Sequence, residues 1–556
     1  MKKTISCLIS ALLVIASVLG TFTATAVKDG ITYSCTGTVD FTNEANLLNS
    51  WAQWGGKKPT VENNELAFTE MLNGSNPEEK RAVLPIKLES NTEYTYSIRY
   101  RVDKEIEADS SKTTFLQLYG CKNDVSCTTG SLLATLLNWV QANNTDYSEF
   151  SGKFATGDLG ESNLFGIVMK STSGQVFYID SVTVKKFASE GTVEFENGAD
   201  IVNVYSAQNM TKPSIKNSEV SIVSEVNPYP VEKRITLPIK LESNTEYTYS
   251  IRYRVDKEIE ADSSKTTFLQ LYGCKNDASC TTGSLLATLL NWVQANNTDY
   301  SEFSGKFATG DLGESNLFGI VMKSTSGQVF YIDSVTIKKI CSEGTIEFEN
   351  GADIYNAWSL KSKPEIENGK LKIVSELGDN GYWSEKRVTL PLKLEKNKEY
   401  SYTIKYRVDK APIDTGLTRI SIYTCDSGVY SGYGTKRNAV ARPIYDSAVF
   451  NSEYAELKGT FKTVNSTVDD TYNFFGLSFM STTEQTFYID SITVKCIDSL
   501  KGDLNTDGEI NSTDLAILRK VLLDVSGLTY DKSEADVNKD GEIDIRDLVA
   551  LNSSIS

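Results

Sequence analysis

The chain has 556 residues, which predicts about four domains. Its net charge is −17 and it has no cluster of basic residues, so we expect no nucleic-acid partner. It contains no histidine, which excludes Ser-His-Asp and Cys-His nucleophile systems, histidine general bases and the usual zinc sites, and leaves carboxylate chemistry open.

The N-terminus has the pattern of a secretory signal peptide. Two lysines precede an apolar stretch, 5–19, and the small-residue site A-T-A ends at Ala26. We therefore predict that residues 1–26 are a signal peptide and that the secreted, extracellular chain begins at Val27. No other apolar run is long enough to span a bilayer, so we expect no membrane partner.

The middle of the chain consists of three copies of one sequence unit. The stretch from Arg81 to the motif FYIDSVTVKK recurs from Arg234 almost letter for letter, and a diverged copy starts near Arg387. Each copy is long enough to bury a core of its own. After the signal peptide we predict β-sandwich modules at 27–187, 188–340 and 341–498, and a C-terminal domain at 499–556.

Within a copy the pattern is that of short β-strands. By alternation, one face of EYTYSIRYRV carries Tyr94, Tyr96, Ile98, Tyr100 and Val102, and FYIDSVTVK alternates in the same way. Such runs, separated by Asn, Gly, Ser and Asp, predict an antiparallel β-sandwich. The stretch 131–144, SLLATLLNWVQANN, fits either a buried strand pair or one helix.

Four motifs, quoted from the copies in which they are clearest, carry a family resemblance that spans each module. FEN-G comes first, then LPIKLESNTEYTYSIRYRV, YSEFSGKFAT and YIDSVTV. Together they resemble the jelly-roll carbohydrate-binding modules attached to xylanases and endoglucanases, within the galactose-binding-like group. The resemblance implies three sandwiches that bind plant cell-wall polysaccharide.

The same resemblance implies that the first and last strands of each module lie antiparallel and share a structural calcium ion. The acidic candidates are Glu196 and Glu349 in the opening strands and Asp180, Asp333 and Asp490 in the closing strands. The first module has Thr42 in place of the opening glutamate. Charges that keep a sheet edge from aggregating are the alternative interpretation.

Eight cysteines remain after removal of the signal peptide, and none lies in a C-x-x-C motif. Because the first and last strands are implied to be neighbours, we expect a disulfide between Cys341 and Cys496. Short loops predict two further bridges, Cys121–Cys127 and Cys274–Cys280. The remaining two, Cys35 and Cys425, have no evident partner.

Sugar binding requires flat aromatic faces next to polar side chains. All six tryptophans lie in the modules, and the candidates are Trp51, Trp54, Trp139, Trp292, Trp358 and Trp383. For any one of them, burial in the core is the alternative. The first two copies differ mainly in their opening segments, so differences in ligand preference should arise there. The shared motif NWVQANNTDY would supply a common aromatic surface through Trp139 and Trp292.

An enzymatic function has one weak motif in its favour. The segment KEIEADSSK contains Glu105, Glu107 and Asp109, which are carboxylates of the kind that glycosidases use. The third module has KAPIDTGLT in that place, and no E-x-D-x-x-E or G-x-S-x-G motif occurs. A solvated acidic loop is the preferred interpretation, and we expect the protein not to be an enzyme.

The C-terminal stretch contains two loops with calcium-ligand spacing, 33 residues apart. The ligands of the first loop would be Asp503, Asn505, Asp507, Glu509, Asn511 and Asp514, and those of the second Asp536, Asn538, Asp540, Glu542, Asp544 and Asp547. Alternate oxygen ligands around a turn-forming glycine satisfy Ca²⁺, with the glutamates giving backbone carbonyls. An apolar-periodic segment follows each loop, and no helical pattern precedes it.

Half an EF-hand, twice, resembles a type I dockerin, which binds Ca²⁺ and attaches secreted proteins to a cohesin domain of a scaffoldin. The resemblance assigns cohesin contacts to Ser512, Thr513, Arg519 and Lys520 in the first copy. The second copy has Ile545, Arg546, Asn552 and Ser553 at these positions, a poorer match. Simple solvation of the helix is the alternative role for the basic pair.

The sequence thus predicts a mostly β fold, with three tandem antiparallel β-sandwich (jelly-roll) modules followed by a small α-helical calcium-binding dockerin. The predicted function is that of a secreted, non-catalytic, cellulosome-associated protein that binds plant polysaccharide and a cohesin. A polysaccharide hydrolase or lyase of unrecognised sandwich type, and a structural or adhesion protein docked through the dockerin, are the alternatives.

Overall fold

The fold was analysed in a computed structural model. It describes residues 27–28, 31–32, 36–225, 229–359, 361–376, 385–396, 398–410, 417–425, 437–463, 473–482, 484–497, 502, 504, 510–523, 525, 530, 534–538 and 542–555. The chain forms two compact units, 1–338 and 339–556. The predicted signal peptide lies outside the described residues. Within the described part, no helix is both long and apolar enough to cross a membrane.

The first unit begins with a short ladder and a two-sheet sandwich. The strands are β1 Val27–Lys28, β2 Ile31–Thr32, β3 Gly37–Asp40, β4 Asn49–Ala52, β5 Thr60–Glu62, β6 Glu65–Phe68, β7 Leu72–Asn73, β8 Asn76–Pro77, β9 Lys80–Lys87, β10 Glu93–Val102, β11 Thr114–Cys121, β12 Thr129–Val140, β13 Ser148–Ala155, β14 Leu164–Ser171 and β15 Phe177–Lys186. One sheet has the order β13-β10-β15-β6-β5, with β3 also paired to β15. The other sheet has the order β12-β11-β14-β9-β4.

The second sandwich repeats this arrangement. Its strands are β16 Gly191–Val193, β17 Asn203–Ser206, β18 Ser214–Lys216, β19 Glu219–Val223, β20 Val231–Lys240, β21 Glu246–Val255, β22 Thr267–Cys274, β23 Thr282–Val293, β24 Ser301–Ala308, β25 Leu317–Ser324 and β26 Val329–Lys339. The six-stranded sheet has the order β18-β19-β26-β21-β24, with β16 also on β26, and the five-stranded sheet has the order β17-β20-β25-β22-β23.

The third sandwich belongs to the second unit. Its strands are β27 Gly344–Ile346, β28 Asn356–Ser359, β29 Glu365–Glu367, β30 Lys370–Val374, β31 Lys386–Lys393, β32 Glu399–Val408, β33 Thr418–Cys425, β34 Arg437–Ser447, β35 Ala455–Lys462, β36 Phe474–Ser481 and β37 Thr486–Ile497. The six-stranded sheet has the order β29-β30-β37-β32-β35, with β27 also on β37, and the five-stranded sheet has the order β28-β31-β36-β33-β34.

Alternation explains how each sandwich forms its core. The predicted inner face of β10 is buried in the first core cluster: Tyr94, Tyr96, Ile98, Tyr100 and Val102. The closing strand β15 contributes Phe177 and Ile179, then Val182 and Val184, because a register shift changes its inward face. The opening strands β3, β16 and β27 pair antiparallel with the closing strands, as the family resemblance implied.

The ambiguous stretch after residue 130 forms neither a strand pair nor a helix. Its residues 131–140 lie in the single strand β12, which pairs with β11 through several register shifts, and 141–144 follow the strand as a loop. These shifts disturb the period-2 alternation, so that Leu132 and Thr135, which a regular strand would place on opposite faces, are both exposed. A sequence pattern with a broken period cannot identify such a strand.

The predicted disulfides are wrong: none of the seven cysteines in the described residues forms one. Cys341 and Cys496 pair with strands of different sheets. The backbone of Cys341 pairs in parallel with Leu392 in the five-stranded sheet, whereas Cys496 lies in β37 opposite Tyr400. Cys35 lies outside the described residues.

The loop cysteines are buried as thiols in an apolar cluster with Val83 and Leu164. Burial raises the pKa of Cys121 to about 12 and that of Cys127 to about 11. Cys274 and Cys280 have the same values for the same reason. Because the thiolate is the reactive form, these groups are poor reactants for disulfide formation at neutral pH.

Two helices close the chain, α1 Ser512–Leu522 and α2 Ile545–Ile555. Asn511 caps α1, since its side chain accepts a hydrogen bond from the Thr513 amide while Asp514 bonds back to the Asn511 amide. The helices share a small core with Leu504, Leu515, Leu518, Ala535 and Leu551 buried in it. The predicted β-sandwich and α-helical architecture is therefore confirmed.

Candidate functional site

The outer face of the five-stranded sheet carries an aromatic pair at one edge. Val140 faces Thr114 and Asn138 faces Phe115, which leaves Trp139 as the extra residue of a β-bulge, with φ of 55°. Its ring stacks on Phe115 with centroids 5.5 Å apart, and 42% of the residue is exposed. The bulge therefore turns a large indole towards solvent rather than into the core.

The second sandwich repeats this pair with nearly the same geometry. Trp292 has φ of 54°, is 42% exposed, and stacks on Phe268 at 5.4 Å. The structure thus presents both shared-half tryptophans on a surface. Their burial in the core, the alternative that the sequence left open, does not occur.

The opposite edge of the same face carries a second aromatic residue, half-buried against an arginine. Trp51 of β4 lies opposite Arg81, whose guanidinium is 4.5 Å from the ring centroid. The third sandwich has Trp358 and Arg387 at 4.6 Å in this register. These cation–π contacts hold each ring at the sheet surface.

The second sandwich has Tyr205 in this position, 5.1 Å from the guanidinium of Arg234. Tyr205 was not among the residues predicted to bind sugar, all of which are tryptophans. The alternating pattern of NVYS could have identified it, since the tyrosine occupies the strand position that tryptophan occupies in NSWA and NAWS.

Polar groups lie between the two aromatic edges. Glu79 pairs with Arg81 at 2.6 Å and with Lys170 at 2.8 Å. Burial raises the pKa of Glu79, but hydrogen bonds from Lys170 and Arg81 outweigh it and lower the pKa below its ordinary value. Glu79 is therefore a charged hydrogen-bond acceptor at neutral pH and not a proton donor.

Side-chain amides and hydroxyls complete this central region. The Gln117 amide donates to Thr135 at 2.8 Å, and the Tyr119 hydroxyl donates to Gln117 at 3.0 Å. The second sandwich has the same contacts through Gln270, Thr288 and Tyr272. Flat rings beside oriented polar groups are the surface chemistry that recognises a sugar, whose C–H face packs on the ring while its hydroxyls bond the polar groups.

The third sandwich departs from this pattern at the bulge. Asp446 is in the bulge conformation, with φ of 50°, and it pairs with Arg419, which stands in the position of Phe115. The Arg419 guanidinium lies 4.8 Å from the ring of Tyr445. An ion pair therefore replaces the tryptophan–phenylalanine stack, and the two kinds of face should not bind the same ligand equally.

Of the two remaining predicted tryptophans, one lies in a turn and one lies outside the described residues. Trp54 follows β4 in a short 3-10 turn, with φ of 53° and 59% exposure. The second sandwich has Gln208 with φ of 58° at the same place. This position therefore varies in chemistry while its backbone conformation is kept. Trp383 lies outside the described residues.

The acidic residues of the closing strands are bound to cations of the protein itself. Asp180 pairs with Arg99 at 2.8 Å, and Asp333 pairs with Arg252 at 2.7 Å. Asp490 pairs with Lys370 and, at 2.8 Å, with Lys405. Because these carboxylates are paired within the protein, the contacts favour a charged sheet surface over a calcium site shared with Glu196 or Glu349. In the first sandwich, the Thr42 hydroxyl donates a hydrogen bond to Asp40 within a local turn.

The acidic segment after β10 is an exposed loop. Asp109 accepts hydrogen bonds from the amide and hydroxyl of Ser111, which lower its pKa. Glu105 and Glu107 are both exposed on the same loop. Asp109 is therefore a turn-capping carboxylate, and its lowered pKa is the opposite of what a general acid requires.

The described part of the C-terminal loops shows how their last ligand positions are held. Asp514 is fully buried and accepts hydrogen bonds from the amides of Leu504 at 2.9 Å and Asn511 at 3.0 Å. Asp547, also fully buried, accepts from Asn538 at 3.0 Å and Asp544 at 2.8 Å. Each carboxylate thereby ties the end of its loop to the start.

The remaining ligand positions complete an all-oxygen set suited to Ca²⁺. Asn511, Asp536, Asn538, Glu542 and Asp544 are described, and Asp503, Asn505, Asp507, Glu509 and Asp540 lie outside the described residues. Among the described residues alone, no three acidic, cysteine or histidine side chains converge on a point that could hold a metal ion. The donor chemistry fits calcium, and the ligand assignment stays a prediction.

The predicted cohesin contacts of the first copy are on the surface. Ser512, Thr513, Arg519 and Lys520 are all exposed. In the second copy, Arg546 pairs with Glu542 at 3.0 Å and Asp544 at 2.6 Å, and the Ser553 hydroxyl donates to the Val549 carbonyl. The second helix therefore has its basic residue engaged within its own loop, while Ile545 is 62% exposed.

Comparison with known proteins identifies the C-terminal region. Residues 501–556 match the family described as dockerin type I domain. The chain resembles the N-terminal CBM22-1–CBM22-2 tandem of Paenibacillus barcinonensis Xyn10C, with 11% identity and a TM-score of 0.20 over 55% of this chain and 96% of that chain. It also resembles the N-terminal cellulose-binding domain of Cellulomonas fimi β-1,4-glucanase C, with 12% identity and a TM-score of 0.20 over 27% and 93%. No curated protein gives a match.

Proposed function

We propose that this chain, which carries a type I dockerin domain at residues 501–556, is a secreted, non-catalytic component of a cellulosome-type complex. The dockerin binds a cohesin domain of a scaffoldin in a calcium-dependent manner. The three sandwiches bind plant cell-wall polysaccharide through the outer faces of their five-stranded sheets. The modules are those predicted from the sequence, at 27–187, 188–340 and 341–498.

One observation carries the polysaccharide part of the proposal. In two copies a half-exposed tryptophan, Trp139 or Trp292, stacks on a phenylalanine at the edge of a sheet whose centre is polar. A large exposed ring on a regular sheet lowers solubility without stabilising the core, so its repetition favours a ligand-binding role. The aromatic residues at the far edge, Trp51 and Tyr205, extend the surface across the sheet.

The calcium part rests on the buried carboxylates at the ends of the loops. Bound Ca²⁺ supplies positive charge that brings the loop oxygens together. Asp514 and Asp547 then tie loop to helix through their backbone hydrogen bonds. Helix α1 presents Ser512, Thr513, Arg519 and Lys520 to the cohesin. The engaged Arg546 supports a binding mode centred on the first copy.

Affinity electrophoresis of the full chain in neutral plant polysaccharides tests the sugar-binding face. We expect the W139A/W292A protein to be retarded at least roughly tenfold less than the wild type. The reason is that each exposed tryptophan ring contributes about 1 kcal/mol or more when it packs on a sugar. Val125→Ala, at an 87% exposed hairpin position, is the control. Equal retardation of the double variant and the control would contradict the proposed face, and sugar release by the wild type would favour a hydrolase.

Chelation tests the dockerin independently of the sandwiches. We expect EDTA to abolish capture of the chain by a cohesin and to lower its helical circular dichroism signal, while retardation in polysaccharide is unchanged. Capture that survives exhaustive chelation would contradict calcium-dependent docking. A D514A variant should reproduce the effect of EDTA without it.

A further inference from the structure

The outer face of the six-stranded sheet, on the opposite side of the sandwich, carries a second set of aromatic and charged residues. In the first sandwich this tyrosine–arginine cluster consists of Glu65, Arg99, Arg101, Tyr147, Tyr178 and Asp180. Arg101 binds Glu65 with both arms of its guanidinium, at 2.9 and 2.5 Å. The same guanidinium lies 4.1 Å from the ring of Tyr178, and the Tyr147 hydroxyl donates to Glu65 at 2.9 Å.

The second sandwich has the same cluster with the same contacts. Arg254 binds Glu219 at 3.0 and 2.6 Å and lies 4.1 Å from the ring of Tyr331. The Tyr300 hydroxyl donates to Glu219 at 2.9 Å. In both copies two cations therefore face two carboxylates, and the arginine fork is fully engaged.

The third sandwich changes one residue of the cluster. Lys370 occupies the strand position of Glu65, next to a pairing of Leu371 with Ile489 that corresponds to Leu66 with Ile179. Lys370 and Lys405 both bind Asp490. At the six positions of the cluster, three cations therefore replace two and one carboxylate replaces two. Beside it on the same face, Lys372 pairs with Glu365 at 3.4 Å and with Glu367 at 2.7 Å, so both glutamates are engaged by a lysine outside the cluster.

Among the described residues, the guanidinium of Arg407, the counterpart of Arg101, contacts aromatic rings in place of a carboxylate. Its guanidinium lies 4.1 Å from the ring of Tyr488 and 5.9 Å from that of Tyr454. Within the described residues of this sheet, Arg407 has no acidic partner, and the adjacent Glu456 is paired with Lys458 at 2.7 Å. A planar, half-exposed guanidinium without its carboxylate presents the geometry that binds one from outside.

We propose that the tyrosine–arginine cluster of the third sandwich binds the carboxylate of a uronic-acid residue in an acidic polysaccharide. The carboxylate takes the place that Glu65 and Glu219 occupy in the other copies, with Lys370 beside it. Tyr454, which is 36% exposed, offers its ring to the sugar, and an inorganic anion would gain nothing from that ring. The inference rests on the proposed function only in that the ligand is a polysaccharide.

The other copies supply the decisive variant. Lys370→Glu restores the arrangement of the first two sandwiches, so we expect Arg407 to bind the new glutamate and the site to close. In affinity electrophoresis of the full chain in polygalacturonate, K370E should be retarded roughly tenfold less than the wild type. Lys462→Glu changes net charge equally at the far, exposed end of β35 and should have little effect. Arg407→Gln should match K370E, and thermal unfolding verifies that the variants fold.

Three results would overturn the proposal. K370E and K462E could weaken retardation equally, which would indicate general charge attraction. K370E could have no effect. Sulfate could compete as well as galacturonate at equal concentration and ionic strength, which would indicate a simple anion site. Retardation in a neutral glucan separates the two proposals, because W139A/W292A should reduce it and K370E should not.

Discussion

Each sandwich buries one lysine almost completely. Lys80, Lys233 and Lys386 are at most 1% exposed, and each ammonium bonds a backbone carbonyl and a glutamate. The glutamates are Glu78 at 3.4 Å, Glu225 at 3.3 Å and Glu376 at 2.7 Å. A buried ammonium is tolerated only when it is paired in this way, so the carboxylate and the carbonyl are both required.

Replacing the lysine should therefore cost more than an ordinary surface change. We expect Lys386→Met to lower the free energy of unfolding of the third sandwich by about 3 kcal/mol, because it leaves Glu376 without its cation. Thermal unfolding of the full chain followed by calorimetry measures the effect. Lys458→Met, at a 65% exposed side chain, is the control and should change the transition little.

The same pair predicts a dependence on pH. The hydrogen bond from Lys386 lowers the pKa of Glu376 to about 2 from its ordinary value of 4.5. A carboxyl whose pKa is lowered by folding contributes stability that is complete above about pH 4.5 and is lost as the pH falls towards 2. The stability difference between wild type and K386M should therefore shrink across that interval. A difference that stays constant from pH 6 to pH 2.5 would contradict this origin.

At the residue scale, the sequence predicted which aromatic residues are exposed better than it predicted which residues they contact. Comparison of the copies identified Trp139 and Trp292 as a shared aromatic surface. Their partners Phe115 and Phe268 could not be predicted, because a bulge decides which side of the strand each tryptophan faces. The contact of Trp51 with Arg81 could not be predicted, because it depends on the register between two strands that are not adjacent in sequence. The change from Glu65 to Lys370 was visible only after strand pairing had aligned the two positions.

At the scale of strands, one crossing recurs in all three sandwiches. Gly166 of β14 lies so close to Cys121 of β11 that a Cβ on the glycine would overlap the sulfur. Gly319 meets Cys274 and Gly476 meets Cys425 in the same way. Cys425, which had no evident partner in the sequence, therefore belongs to the third copy of a cysteine–glycine contact, in which the cysteine fills the space above a glycine.

A double-mutant cycle tests this crossing. Gly166→Ala should destabilise the first sandwich by about 2 kcal/mol, since overpacking a strand contact forces the backbones apart. Cys121→Ala alone removes the sulfur, and in its presence the cost of Gly166→Ala should fall by more than half. Urea unfolding of the four proteins gives the coupling. Additive effects would show that the sulfur is not what the added methyl group meets.

Most strands were predictable because their alternation is regular. β10 and its copies repeat the pattern over ten residues, with every second residue in the core. The strand β12 was not predictable because its bulges shift the period, and it exposes apolar residues that a core strand would bury. In the C-terminal domain the helices were located without regard to strand alternation, because the spacing of the calcium ligands identified the two loops that precede them.

At the scale of the whole chain, the first two sandwiches are joined by more than a short connector. The 3-10 turn Gly198–Asp200 of the second sandwich packs against β10, β13 and β15 of the first. Thr95 donates to the Ala199 carbonyl at 2.6 Å, and the Gly198 amide donates to Glu149 at 2.7 Å. The sequence could not predict this interface, because its contacts join residues 49 and 104 positions apart.

A buried ion pair contributes to holding this junction closed, beside the more exposed pair of Lys240 with Glu93. Asp200 is 1% exposed, pairs with Lys185 of the first sandwich at 2.6 Å, and caps its own turn by accepting from the Asn197 amide at 3.3 Å. Asp200→Ala removes both contacts, and local opening of the junction should become at least roughly tenfold more frequent. Limited trypsin digestion of the full chain, with cleavage after Lys185 and Lys186 followed by mass spectrometry, measures that opening.

Asp158→Ala is the matched control, since Asp158 is an exposed carboxylate whose turn-capping hydrogen bond, from the Gly160 amide, stays within the first sandwich. Faster cleavage of D200A than of D158A would mean that the two sandwiches are held as one body by this contact. Their sheet faces would then be presented together, so that binding of one face raises the effective concentration of the other for the same polysaccharide chain. Equal cleavage rates would mean that the junction opens without the ion pair, and the two faces would then bind as independently tethered sites.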